Sequence, residues 1–155
     1  MGASPQLYRI MGLKFTRIFV SSEDFYPEEK LWRAVVVNAL EDCSNLNSDR
    51  KSSLQKIYAH NWITGNSKDF NDVCNWGRID PEDVQQCYIR AIKQKKIYFN
   101  VRQVMWWPYD KLYKKMLVAE PNSKRLIRKK LDELRDTINF TEDVSCSTVF
   151  VSVFA

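Results

Sequence analysis

Apolar positions recur at helical spacing through most of this chain. From residue 28 to 43, Leu31, Trp32, Val35, Val36, Ala39, Leu40 and Cys43 fall three or four apart, which predicts an amphipathic helix. Pro27 followed by Glu28 and Glu29 suits its first turn, where negative charge meets the helix dipole, and the polar residues 44–48 end it. A second helix is predicted from about Arg50 to Ile63, with Leu54, Ile57, Tyr58 and Trp62 towards the core. Gly65 or Asn66 is placed to take a left-handed cap after it. A short helix opening at Lys68 or Asp69 carries Phe70, Val73, Cys74 and Trp76, and Gly77-Arg78-Ile79 reads as a turn. Asp80 then stands as N-cap, Pro81 as first helical residue and Glu82 and Asp83 as first-turn acids. That helix continues through Val84, Cys87, Tyr88, Ala91 and Ile92 to about Lys95.

The period is less clear near the ends. Residues 13–20 alternate in part and are rich in β-formers, which predicts a strand. Residues 97–107 read either as a strand or as an irregular aromatic hinge before Pro108. A short helix at 109–118 follows, then a longer one at 122–138 with Ile127, Leu131, Leu134 and Ile138 as its apolar stripe. The tail from Cys146 to Phe154 is strongly β-prone; it pairs with the strand at 13–20 or serves as an intermolecular strand. The expected fold class is therefore mainly α: a helical domain with a helix-turn-helix-like unit and a small β element formed by the two terminal strands. Its parts are an N-terminal arm and strand at 1–27, a helical core at 28–95, and a basic aromatic segment with a β-prone tail at 96–155, packed on the same domain.

Composition narrows the class. A chain of 155 residues fits one domain and buries a real core without disulfides or metal. Cys43, Cys74, Cys87 and Cys146 are scattered singly, without the paired spacing of a zinc site, so they read as reduced, mainly buried thiols. No run of about 18 apolar residues and no signal-peptide pattern are visible, which points to a cytoplasmic protein without a membrane partner. His60 is the single imidazole, and no phosphate loop, nucleophile elbow or zinc-hydrolase motif occurs. The expectation is a non-enzyme without cofactor or metal.

Charge adds a partner. Residues 1–89 hold 10 basic and 12 acidic side chains, whereas residues 90–135 hold 14 basic and 4 acidic. Such concentration is the electrostatic footprint of a polyanion. On the 81–95 helix, Gln85, Gln86, Arg90 and Lys93 are candidates to reach base edges, since Gln matches adenine and Arg guanine in the major groove. Lys111, Lys114, Lys115, Lys124, Arg125, Arg128 and Lys129 are candidates to hold phosphate. Tyr98, Trp106, Trp107 and Tyr109 interleave with these cations as candidates to stack on bases or to bind a protein partner.

Ala59, Trp62 and Ile63, then Phe70, Val73 and Cys74, then Gly77, Asp80, Pro81 and Val84 form a pattern that resembles small tailed-phage proteins with helix-turn-helix-type domains. The resemblance spans about residues 31–92; Gln85 stands where those proteins often carry a basic residue. It implies a phage-encoded protein in the host cytoplasm. Joined to the charge pattern, it gives a nucleic-acid-binding protein, duplex DNA first, acting as a regulator or packaging factor. Two other readings stay open: an early phage protein that redirects a host protein, and a self-assembling virion component forming homo-oligomers.

Overall fold

A computed structural model describes residues 3–20 and 24–146. Among them are eight helices: α1 (Pro5–Met11), α2 (Leu13–Val20), α3 (Pro27–Ser44), α4 (Arg50–Thr64), α5 (Lys68–Trp76), α6 (Pro81–Lys93), α7 (Val101–Leu117) and α8 (Pro121–Phe140). The mainly α class is as expected. Among the described residues there is no strand, only an isolated antiparallel bridge between Asn100 and Ser145. The β-prone residues 147–155 lie outside the described residues.

The strand expected at 13–20 is helix α2. Phe15 and Phe19 are buried four residues apart, whereas Leu13 and Val20 face solvent. Burial therefore follows the period of 3.6, not of 2. A helix also satisfies its own backbone, which a strand without a partner does not. Gly12 makes the junction with α1 at φ +88°, a conformation that favours glycine.

Caps fix most remaining boundaries. The side chains of Asp49, Ser67 and Asp80 accept from the backbone N–H groups of Ser52, Phe70 and Glu82 at 3.0, 3.1 and 2.9 Å. After α4, Asn66 takes the left-handed turn (φ 52°) while Gly65 does not; after α5, Arg78 takes it (φ 55°) while Gly77 does not. Gly77 is small for a different reason. A Cβ there would stand 3.1 Å from Arg33 Cγ and 3.2 Å from Arg33 N, so a side chain would push on α3.

The main core joins α1 to α6 around Phe15, Leu40, Ile63, Phe70 and Tyr88. A second core joins α4 to the hairpin of α7 and α8 around Trp106, Tyr109, Leu131 and Ile138. Helix α4 borders both, packing against α3, α6 and α7. Helix α7 begins at Val101 and runs unbroken through Pro108, so neither a hinge at 97–107 nor a break at the proline forms. Proline in a helix costs about 3 kcal/mol. The buried stripe of Gln103, Trp106, Tyr109 and Asp110 spans the site on both sides and opposes that cost.

Polar groups lock the two cores together. Lys56 of α4 is fully buried, and its Nζ donates to Asn45 O at 2.8 Å, Tyr98 O at 2.6 Å and Gln103 Oε1 at 3.1 Å. Gln103 Nε2 in turn donates to Asn45 O and Asn47 O, both at 2.9 Å. Burial pulls the Lys56 ammonium from 10.5 down to about 8. Because the folded value lies below the unfolded one, the unfolded chain holds the extra proton between pH 8 and 10.5. Stability from this group therefore rises with pH across that window, by about 3 kcal/mol in full. In urea titrations, wild type minus Lys56→Met is expected to increase from neutral pH to pH about 10; a flat difference would show that the ammonium is not desolvated.

Candidate nucleic-acid interface

The candidate residues fall on two separate surfaces. Gln85, Gln86, Arg90 and Lys93 belong to α6, which packs against α1, α2, α4 and α5. The first of these side chains is already engaged: Gln85 Nε2 donates to Ile63 O at 2.9 Å and to Asn66 Oδ1 at 2.8 Å. Gln86 is exposed and reaches Glu82 Oε1 at 3.3 Å, and Asp83 pairs with Lys14 at 2.8 Å. Arg90 and Lys93 are exposed near the C-terminal end of the helix. The solvent face of α6 is thus acidic at its start and basic only at its end.

The other set converges. Three residues, 118–120, separate α7 from α8, so Lys111, Lys114 and Lys115 near the end of one helix stand beside Lys124, Arg125, Arg128 and Lys129 near the start of the other. At 1.5 Å per residue, all seven lie within about 12 Å of the turn along the hairpin. Lys130, the next residue of α8, is exposed as well. Leu117, Val118 and Leu126 are 56%, 88% and 66% exposed among these cations.

The seven are not equivalent. Lys114 pairs with Asp110 at 3.2 Å and donates to the Tyr58 hydroxyl, which raises its pKa; Lys111 lies 5.1 Å from the centre of the Trp107 ring. Among the described residues, Lys115, Lys124, Arg125, Arg128, Lys129 and Lys130 form no ion pair. Helix stability does not account for Lys124 and Arg125. No acid occupies the first turn of α8, and Lys124 and Arg125 stand just beyond it, on the side the dipole disfavours. Lys124 with Arg128, and Arg125 with Lys129, are like charges four residues apart, each pair costing about 0.2–0.5 kcal/mol.

Other cations of the basic segment serve the fold. Arg102 Nε donates to Thr141 O at 2.6 Å and its other arm to Asn139 O at 3.1 Å, closing the end of α8, and Arg135 donates to the Tyr109 hydroxyl. The aromatic candidates divide likewise. Trp106 and Tyr109 are interior rings, Trp106 Nε1 donating to Ser48 O at 2.9 Å, so the expectation that they offer an outer stacking surface is corrected. Trp107 and Tyr98 are half-buried. His60 is buried in helix packing, its Nδ1 2.6 Å from the Tyr88 hydroxyl. Cys43, Cys74 and Cys87 are buried, and burial pushes the Cys43 and Cys74 thiols up to about 12. Among the described residues no group of three metal-ligating side chains converges, and no helix is long and apolar enough to cross a membrane.

No protein-family model, curated protein or solved structure matches the chain.

If the α8 cations serve an external partner, removing one relieves the helix. Arg125→Glu places an acid four residues before Lys129 and three before Arg128, and is expected to stabilise the protein by about 0.5–1 kcal/mol in urea unfolding. A loss of stability would instead show that the guanidinium holds the fold.

Proposed function

We propose that the protein binds nucleic acid through the end of the α7–α8 hairpin, gripping the phosphates of duplex DNA with Lys115, Lys124, Arg125, Arg128, Lys129 and Lys130. The observation that carries this reading is their placement: six cations without ion-pair partners, gathered at one end of a hairpin where they repel one another. Phosphate supplies the compensating charge, and release of its counterions supplies the driving force.

Two features favour duplex phosphate over other modes. Stacking on single strands needs outward rings, and Trp106 and Tyr109 are interior. Base reading by α6 needs free amides and cations along its outer face, yet Gln85 is bonded within the protein and the helix opens on Glu82 and Asp83. The helix-turn-helix-like unit of α5 and α6 therefore has an accessory part in this reading. Holding or packaging DNA suits such a grip better than sequence-specific regulation does. In the phage setting that the sequence pattern implies, this would be the host cytoplasm.

The test is fluorescence anisotropy of a labelled duplex over a salt series. With about five phosphates neutralised, log K is expected to fall against log salt with a slope of about −4 to −5. The variant K124E/R125E/R128E/K129E is expected to lose binding while remaining folded by circular dichroism. Salt-insensitive binding, full binding by the variant, or binding only to anionic lipid vesicles would each contradict the proposal.

A further inference from the structure

The tip of the hairpin carries two side chains that neither the core nor a phosphate grip uses. Leu117 ends α7 and Val118 caps it, and they are 56% and 88% exposed. Met116 of α7 and Ile127 of α8 pack into the second core, so the apolar faces of the two helices are already covered. Leu117 and Val118 stand beyond that core, at the very end of the hairpin.

The turn that carries them is short and fixed. Ala119 N donates to Met116 O at 3.2 Å, and Lys124 N donates to Glu120 O at 2.8 Å. Pro121 takes the first position of α8, where its ring sets φ for the helix. The two apolar side chains therefore lose little further freedom when they meet a partner.

Their surroundings say what that partner is. Lys115 precedes Val118 by three residues, which places an ammonium about one turn behind it on the same face. Across the turn, α8 adds Lys124, Arg125, Arg128, Lys129 and Lys130, none in an ion pair among the described residues. Glu120 is the single acid from residue 111 to residue 130. A lipid surface also attracts such charge, but a helix lies on one through a continuous apolar face. The apolar faces of α7 and α8 meet each other and α4 instead. A small apolar tip flanked by cations fits the wedge that a duplex admits between neighbouring base pairs.

We propose that Leu117 and Val118 enter the minor groove and open one base step, so that the hairpin bends the duplex it holds. This rests on the phosphate grip proposed above and names the class of DNA that the grip takes: a duplex with an easily opened step, such as a nick. The minor groove is about 6 Å wide, room for the side chains of a turn but not for a helix. Opening a step exposes apolar base faces, which the two side chains cover. The cations behind the tip then meet phosphates beside the bend.

The probe is a duplex of about 20 base pairs with a fluorescent donor at one end and an acceptor at the other, intact or nicked at its centre. At low salt the full-length protein is expected to raise energy transfer on binding, and to bind the nicked duplex about tenfold more tightly than the intact one. The variant L117S/V118S is expected to bind the intact duplex within about twofold of wild type, because the phosphate contacts remain. It is expected to lose both the rise in energy transfer and the preference for the nick. Binding by wild type without bending, equal affinity for the two duplexes, or bending kept by the variant would overturn the wedge and leave the phosphate grip standing. No binding to either duplex would overturn both. Capture by phosphatidylglycerol vesicles that L117S/V118S abolishes, with the duplexes left unbent, would assign the tip to a lipid surface instead.

Discussion

The Lys56 ammonium, removed from water, holds this fold to one arrangement. Its three acceptors come from the loop after α3, the connector before α7 and α7 itself, and the Gln103 amide adds two more bonds to the loop after α3, at Asn45 O and Asn47 O. Burying a charge is expensive, so a register of α7 that missed any acceptor would leave that charge uncompensated. The network thus selects the position of α7 on α4. Everything beyond it follows, including α8, the second core and the end of the hairpin that carries the cations. Arg33 does the same on the other side, donating to Gly77 O at 3.0 Å and to Ile18 O, and so joining α2, α3 and the end of α5.

This division of cations organises the molecule. Some are interior or capping: Arg33, Lys56, Arg102 and Arg135 each meet oxygen atoms of the protein. Others form no ion pair among the described residues, and six of these (Lys115, Lys124, Arg125, Arg128, Lys129 and Lys130) follow one another around the turn between α7 and α8. Charges that hold the fold are expected to be matched where they stand, whereas charges meant for a partner are left unmatched at some cost to stability.

Much of the helical frame was legible because period and caps agree. Asp80 and Pro81 open α6 where their chemistry says they should, and the apolar spacing of 28–43 and 50–63 describes α3 and α4 closely. Residues 13–20 misled because eight residues with several β-formers fit either period, and only the burial of Phe15 and Phe19 together decides. The alternation of rings and cations over 98–115 misled in another way. In a helix, residues three or four apart share a face, so Trp106, Tyr109 and Tyr113 turn towards α4 and α8 while Lys111, Lys114 and Lys115 turn outward. An interleaved sequence becomes a segregated surface. The engagement of Gln85 and the network around Lys56 depend on contacts between distant segments and left no trace in the sequence.

The central claim is that the hairpin end, and not α6, holds nucleic acid. Mapping amide and arginine Nε resonances while a short duplex is added at low salt tests it most directly. The account predicts perturbations concentrated in residues 111–130, with α6 little changed. Perturbations centred on Gln86, Arg90 and Lys93, with the hairpin silent, would contradict it.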